Sequence, residues 1–297
     1  MIYQNPTGGI PEMYDFIQAV LNPEVPFIRM ALLAGIIGSI PFGFIGSFVV
    51  VKKMSSIAGA ISHSVLGGIG LALYLNAVFG ISFIQPMGGA LIFALIASGI
   101  LSLVMIYGKE RMDSVIGAVW AVGMSLGLLF MAKTPGYVDP MSYLFGNILL
   151  IGKSQLITIS IFSLVILMFG ILFYSQFQAV SFDAEFAETR GVNTRLFQVV
   201  IMVLISITVV LMVSLVGTVM VIAFLTIPPA MASMFSKRLS MMIGLSVLFS
   251  IMISVAGLFI SYVMNLPTGS VTIILAGALY ILVRLINLAA GRIFTRQ

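Results

Sequence analysis

The sequence predicts an all-α, polytopic integral membrane protein of about nine transmembrane helices, with eight as the alternative. Three observations lead there. Of 297 residues, 61% are hydrophobic and only 8% charged. With a mean hydropathy of +1.21, that leaves too little polar surface for a water-soluble chain, in which roughly a quarter of residues are charged. The roughly 180 apolar residues suffice for about nine spans of ~20 residues, and they fall in separate runs with the charges between them.

In chain order the apolar runs lie at about 27–51, 55–79, 86–107, 113–132, 155–175, 195–215, 217–236, 240–263 and 269–289. The first carries Pro41 mid-span, and the seventh carries Pro228 and Pro229, each removing a backbone donor that other groups must replace. Only the neighbourhood of Gly217 separates the sixth from the seventh, so a tight hairpin or one broken helix is possible there. Gly35, Gly38, Gly43 and Gly46 in the first run, Gly59, Gly67, Gly68 and Gly70 in the second, and Gly123 and Gly127 in the fourth suit close helix approach in lipid. Ahead of the first span, residues 1–26 read as an outer or interfacial segment, with a short helix over 10–22. Residues 27–290 form the membrane domain and 291–297 a tail. Met1 to Asp15 carries Glu12 and Asp15 and no basic cluster, unlike a cleaved signal peptide.

Charge sets the orientation. Lys52, Lys53, Lys109, Arg111, Arg190, Arg195, Lys237, Arg238, Arg284, Arg292 and Arg296 fall on one side of nine alternating spans, and only Arg29, Lys133 and Lys153 on the other. This segregation places the N-terminus outside and the C-terminus in the cytoplasm, and it accounts for the net charge of +5 without nucleic acid. The absence of Cys excludes disulfides, thiolate metal sites and Cys nucleophiles.

All nine acids, Glu12, Asp15, Glu24, Glu110, Asp113, Asp139, Asp183, Glu185 and Glu188, fall in loops or at span ends. A carrier driven by protons or sodium usually needs an intramembrane carboxylate, so the drive is expected from elsewhere. The run from Asn147 to Ser154 has Asn147 where a phosphate-binding loop needs its first glycine, and is read as chance. His63 is the one ionisable side chain well inside a span. It shares a helical face with Ser56, Gly59, Gly67 and Gly70, which leaves open space for a metal ion, a water file or a neighbouring helix. Either His63 contacts a permeating ion, with Gly59, Ser62 and Gly67 lining the path, or it bridges two helices by a hydrogen bond. Residues 181–191 read as a short capped helix with acids first, Arg190 last and Gly191 just beyond. Phe182, Phe186 and Ala187 are available there to dock a partner, and a solvated connector is the alternative.

Several motifs recur in the order known for one family: Gly46 to Ser55 with Lys52-Lys53, the Ile61-Ser62-His63 step, Asp139 to Leu149, Phe182 to Ala187, Val216-Gly217 through Ile227-Pro228, and Leu266-Pro267-Thr268-Gly269. From about 28 to 285 the chain resembles the permease subunit of zinc and manganese ABC importers. The resemblance implies a homodimer in a bacterial plasma membrane, served by two cytoplasmic ATPase subunits and an extracytoplasmic metal-binding protein. The chain would itself be no enzyme and hold no resident cofactor, only a passing divalent metal. The resemblance also makes 181–191 the helix that couples to the ATPase, with Asp183, Glu185, Ala187 and Gly191 as its contacts. The chain departs from the family at Gly59, where an Asp often stands four residues before the His. Losing that oxygen ligand tilts the expected cargo from manganese toward zinc, which suits imidazole. A manganese or iron importer permease of the same family, a permease for a siderophore or corrinoid, and a stand-alone secondary carrier are the alternatives.

Overall fold

The structure is a computed structural model, and it describes residues 13–22, 26–81, 83–108, 111–136, 138–146, 148 and 151–294. Twelve helices are described: α1 (Met13–Leu21), α2 (Pro26–Val51), α3 (Ser55–Phe79), α4 (Pro86–Tyr107), α5 (Met112–Lys133), α6 (Pro140–Phe145), α7 (Lys153–Leu172), α8 (Tyr174–Phe182), α9 (Ala184–Thr189), α10 (Thr194–Phe235), α11 (Leu239–Met264) and α12 (Thr268–Phe294). Among the described residues nine segments are long and apolar enough to cross a membrane, with α10 supplying two, Thr194–Val213 and Val216–Phe235.

The break in α10 is a reversal. Gly217 adopts φ 78° and ψ 163°, a backbone conformation entered at low cost by glycine alone. Near the start of the first leg, the Gln198 amide lies 2.9 Å from the Met105 sulfur and 3.9 Å from that of Met54. In the second leg, a Cβ on Gly46 would lie 2.7 Å from the Leu225 carbonyl oxygen. Both sets of partners lie toward the end of the bundle that carries Lys52, so the chain turns back at Gly217 and the nine-span reading holds. Pro229 cannot donate to the Leu225 carbonyl one turn earlier, and the freed oxygen faces the bare α-carbon of Gly46.

Of the nine spans, α3 is the most enclosed. It packs chiefly on α5 and α4 and also on α10, while α2 packs on α11 and α10. The contacts are made by small residues: a Cβ on Gly43 would lie 2.5 Å from the Val247 nitrogen, and one on Gly70 would meet the Gly127 backbone at 2.5 Å. Such positions let helix axes approach closely and gain dispersion in a solvent that gives apolar contacts no other drive. By contrast α12, α5 and α7 bury little of themselves within one chain.

The expected helix over 10–22 is present as α1, where Phe16 packs edge-on against Phe259 and Tyr262 at 5.4 and 5.5 Å between ring centres. Its first residues, 10–12, lie outside the described residues, as do residues 295–297 of the expected tail. Residues 291–294 continue α12. The run expected over 155–175 ends as a span at Leu172, where Phe173 breaks the helix (φ −108°, ψ 20°) before α8 begins.

Candidate functional site

His63 lies on the face of α3 that meets α5. The spacing Ile116, Trp120, Gly123, Gly127 and Met131 puts one side of α5 against α3, and four of these five are buried, with Trp120 partly so. Gly123 and Gly127 bring the two backbones together, so Trp120 is the bulky side chain that reaches across. Its ring stacks on the His63 imidazole, 4.5 Å between centres and 19° from parallel. His63 is 8% exposed, and its Nδ1 is buried without a hydrogen-bond partner. Of the occupants expected beside the imidazole, a neighbouring helix takes the side toward α5. A Cβ on Gly59 would lie 2.8 Å from Trp120 Cζ3, and one on Gly67 would lie 2.8 Å from Phe93. Both glycines allow close approach of these rings, and Nδ1 makes no cross-helix hydrogen bond. Ser62 turns away from this stack, and its hydroxyl donates to the Thr218 carbonyl at 3.1 Å, just past the α10 reversal. The Thr218 hydroxyl is itself buried and unpartnered.

At the end opposite Lys52, α6 wedges into the reversal. Asp139 caps it by accepting from the Met141 amide at 3.0 Å, and the segment ends at Gly146 (φ 63°). There the backbone meets Val216 and Gly217 directly, while Phe145 meets Gly269 at the start of α12. A cavity of about 640 Å³ opens beside α6, with Gln85, Tyr143, Ser154, Gln155 and Thr158 along its polar wall and α10 behind. Burial raises the Tyr143 phenol above its usual value, so it presents a neutral hydroxyl. Among the described residues, no three His, Asp or Glu side chains gather into a metal site.

At the Lys52 end, the 181–191 segment is the capped helix the sequence predicts. Asp183 accepts from the Phe186 amide at 2.9 Å, Arg190 stacks over the Phe186 ring at 5.3 Å, and Gly191 closes the helix at φ 80°. Glu188 accepts from the Thr194 hydroxyl at the first turn of α10. Glu185, Phe182 and Phe186 are exposed, but Ala187 is 1% exposed. Ala187 was expected on the free face; it is instead the side chain on which α9 is seated. Lys52 secures this region, its ammonium donating to the Val180 carbonyl in the last turn of α8 at 3.1 Å. Such a carbonyl has no donor from its own helix, and a cation suits that end of the helix dipole.

The model of one family, described as the ABC 3 transport family, matches residues 24–287. The chain belongs to this family. It is 34% identical over 267 residues to a Chlamydia pneumoniae protein described as a probable metal transport system membrane protein, covering 89% of this chain and 91% of that one. It is 33% identical over 270 residues to the manganese import system permease protein ScaB of Streptococcus gordonii, covering 91% and 93%. Among solved structures, PsaBC from Streptococcus pneumoniae in complex with Fab superposes with a TM-score of 0.81 at 28% identity, over 92% of this chain and 95% of that one.

In this ABC 3 chain the sequence-predicted residues form two separate places. His63, Gly59 and Gly67 share the α3 packing face with Ser62 turned to α10, and Asp183, Glu185, Ala187 and Gly191 belong to the α9 elbow at one end. Sequence reasoning missed Trp120, Thr218 and the anchoring role of Lys52. Trp120 carried a signal: it is the one tryptophan of the chain and stands three residues before Gly123, on the helical face that Gly123 and Gly127 already marked. The pairings of Thr218 with Ser62 and of Lys52 with Val180 join residues more than 100 positions apart, and no local pattern announces them.

Proposed function

We propose that this chain is the membrane-spanning permease subunit of an ABC importer for a divalent first-row metal ion, with manganese as its cargo. It works as a homodimer in a bacterial plasma membrane with the Lys52 end in the cytoplasm. ATP is hydrolysed by separate subunits that dock on α9, and an extracytoplasmic protein delivers the ion to the α6 end. The observation that carries the proposal is His63: a lone imidazole, buried in the most enclosed span of a family chain, with a nitrogen that nothing in the described fold satisfies. A buried polar atom left unpaired is costly, and a passing cation or its water would satisfy it. Weak ligation by one imidazole per chain, completed by hydroxyl, carbonyl or water oxygens, suits an ion that must leave again. The described acids at 15, 113, 139, 183, 185 and 188 lie in short helices, at the ends of spans or in loops, which favours drive by ATP over ion coupling.

Manganese is preferred because ScaB, similar along almost its whole length, is named for it. Zinc is the second reading, favoured by the imidazole itself. The test is uptake of manganese, zinc and iron by cells whose own importers are deleted, supplied with this chain, its neighbouring ATPase and binding protein. Manganese accumulation that is abolished in His63→Gln, with the permease still in the membrane, is the expected result. Uptake unchanged by His63→Gln would remove His63 from the path. Because the chain has no Cys, a single cysteine at 186 reports orientation, and its labelling from outside intact cells would refute the cytoplasmic placement of α9.

A further inference from the structure

We propose that Trp120 positions His63: the stacked indole holds the imidazole plane, so that a cation can reach a ring nitrogen only along the ring edge. This rests on the reading of His63 as the residue a passing ion meets. The geometry is specific. The rings are 4.5 Å apart and 19° from parallel, so the face of the imidazole toward α5 is covered, and in the ring plane Nδ1 has no hydrogen-bond partner. Metal ligation uses the in-plane lone pair of a ring nitrogen. The glycine one turn before His63 is part of the same device, because a side chain at 59 would strike the indole at Cζ3 and push the two rings apart. The α5 face against α3 carries Ile116 and Met131 as well as Gly123 and Gly127, but only Trp120 lays a ring flat on the one intramembrane imidazole. Close approach of the helices at the glycines does not by itself require that ring orientation. Offset stacks are worth about as much as one tenfold factor beyond their area, enough to hold one rotamer of His63 over its alternatives.

The test combines transport by the assembled importer with spectroscopy on the purified full-length permease. Trp120 is the sole tryptophan of the chain, so the permease's indole fluorescence comes from this position alone, and manganese(II) alone, a paramagnetic quencher, is the probe, with magnesium(II) as control. Saturable quenching by manganese is expected in the wild type and loss of it in His63→Gln. Trp120→Ala should lower uptake about tenfold at unchanged assembly, and Trp120→Phe, which keeps a stack, should restore most of it. Gly59→Ala should lower uptake in the wild-type background and have far less effect beside Trp120→Phe, whose smaller ring leaves room for the methyl. Wild-type uptake and metal preference in both Trp120 variants, with His63→Gln inactive, would overturn the positioning role and leave His63 standing. Additive effects of Gly59→Ala and Trp120→Phe would overturn it as well. Wild-type uptake and quenching in His63→Gln would instead fail the reading of His63 itself.

Discussion

Replacing Gly217 by alanine tests whether the α10 reversal is held by α6. Two terms add. At φ 78° and ψ 163° a non-glycine residue pays about 1–3 kcal/mol in backbone strain. A methyl there would also overlap the Leu144 carbonyl oxygen and the Gly146 nitrogen. These are backbone atoms that cannot rotate aside, so α6 must withdraw from the break and lose its packing. Gly80 is the control without a clash: it has the milder left-handed conformation, φ 66° and ψ 17°, with nothing within 4 Å of an added Cβ, and its alanine variant should cost about 1 kcal/mol. Gly217→Ala should cost about 3 kcal/mol or more. At roughly 2–4 °C per kcal/mol, its thermal midpoint should fall by roughly 6–12 °C and that of Gly80→Ala by a third as much. The assay is loss of the monodisperse peak of the purified protein after heating, read by size-exclusion chromatography. Equal shifts for the two variants would refute the wedge and leave only the conformational cost.

Three further outcomes follow from the same structure. Gly68→Ala, whose methyl would collide with the Gly89 backbone across the α3–α4 contact, should destabilise by about 2–4 kcal/mol; Gly99→Ala on α4, with open space around it, should be neutral or stabilising by up to ~1 kcal/mol, and thermal midpoints compare the two. On α9, Glu185→Lys should abolish uptake with normal permease levels, because Glu185 is exposed, whereas Ala187→Leu should lower the amount of folded permease, because Ala187 is buried; normal levels and normal stability of Ala187→Leu would refute that seating. Lys52 is held below its usual 10.5 by desolvation, so between its folded value and 10.5 the unfolded chain binds more protons and stability rises with pH. The stability of the wild type relative to Lys52→Met should therefore climb as pH approaches 10.5, in thermal melts across a pH series, and a pH-independent difference would refute the burial.

What the sequence by itself determined was the architecture along the chain. In lipid a backbone must satisfy its own hydrogen bonds, so each long apolar run has to be a helix, and the basic residues between the runs mark alternate ends. The spans at 27–51, 55–79 and 86–107 therefore coincide with α2, α3 and α4 almost to the residue, and Asp183, Arg190 and Gly191 bound α9 as their capping chemistry dictates. Which face meets which is a different kind of information. The glycines around His63 were equally compatible with a water-filled path and with a close helix contact, because a missing side chain reads the same in both. Only the tertiary arrangement put Trp120 and Phe93 into that space, turned Ser62 toward Thr218 and buried Ala187 beneath α9. These outcomes depend on the rotation of one helix against another, which side-chain volumes distant in sequence decide together.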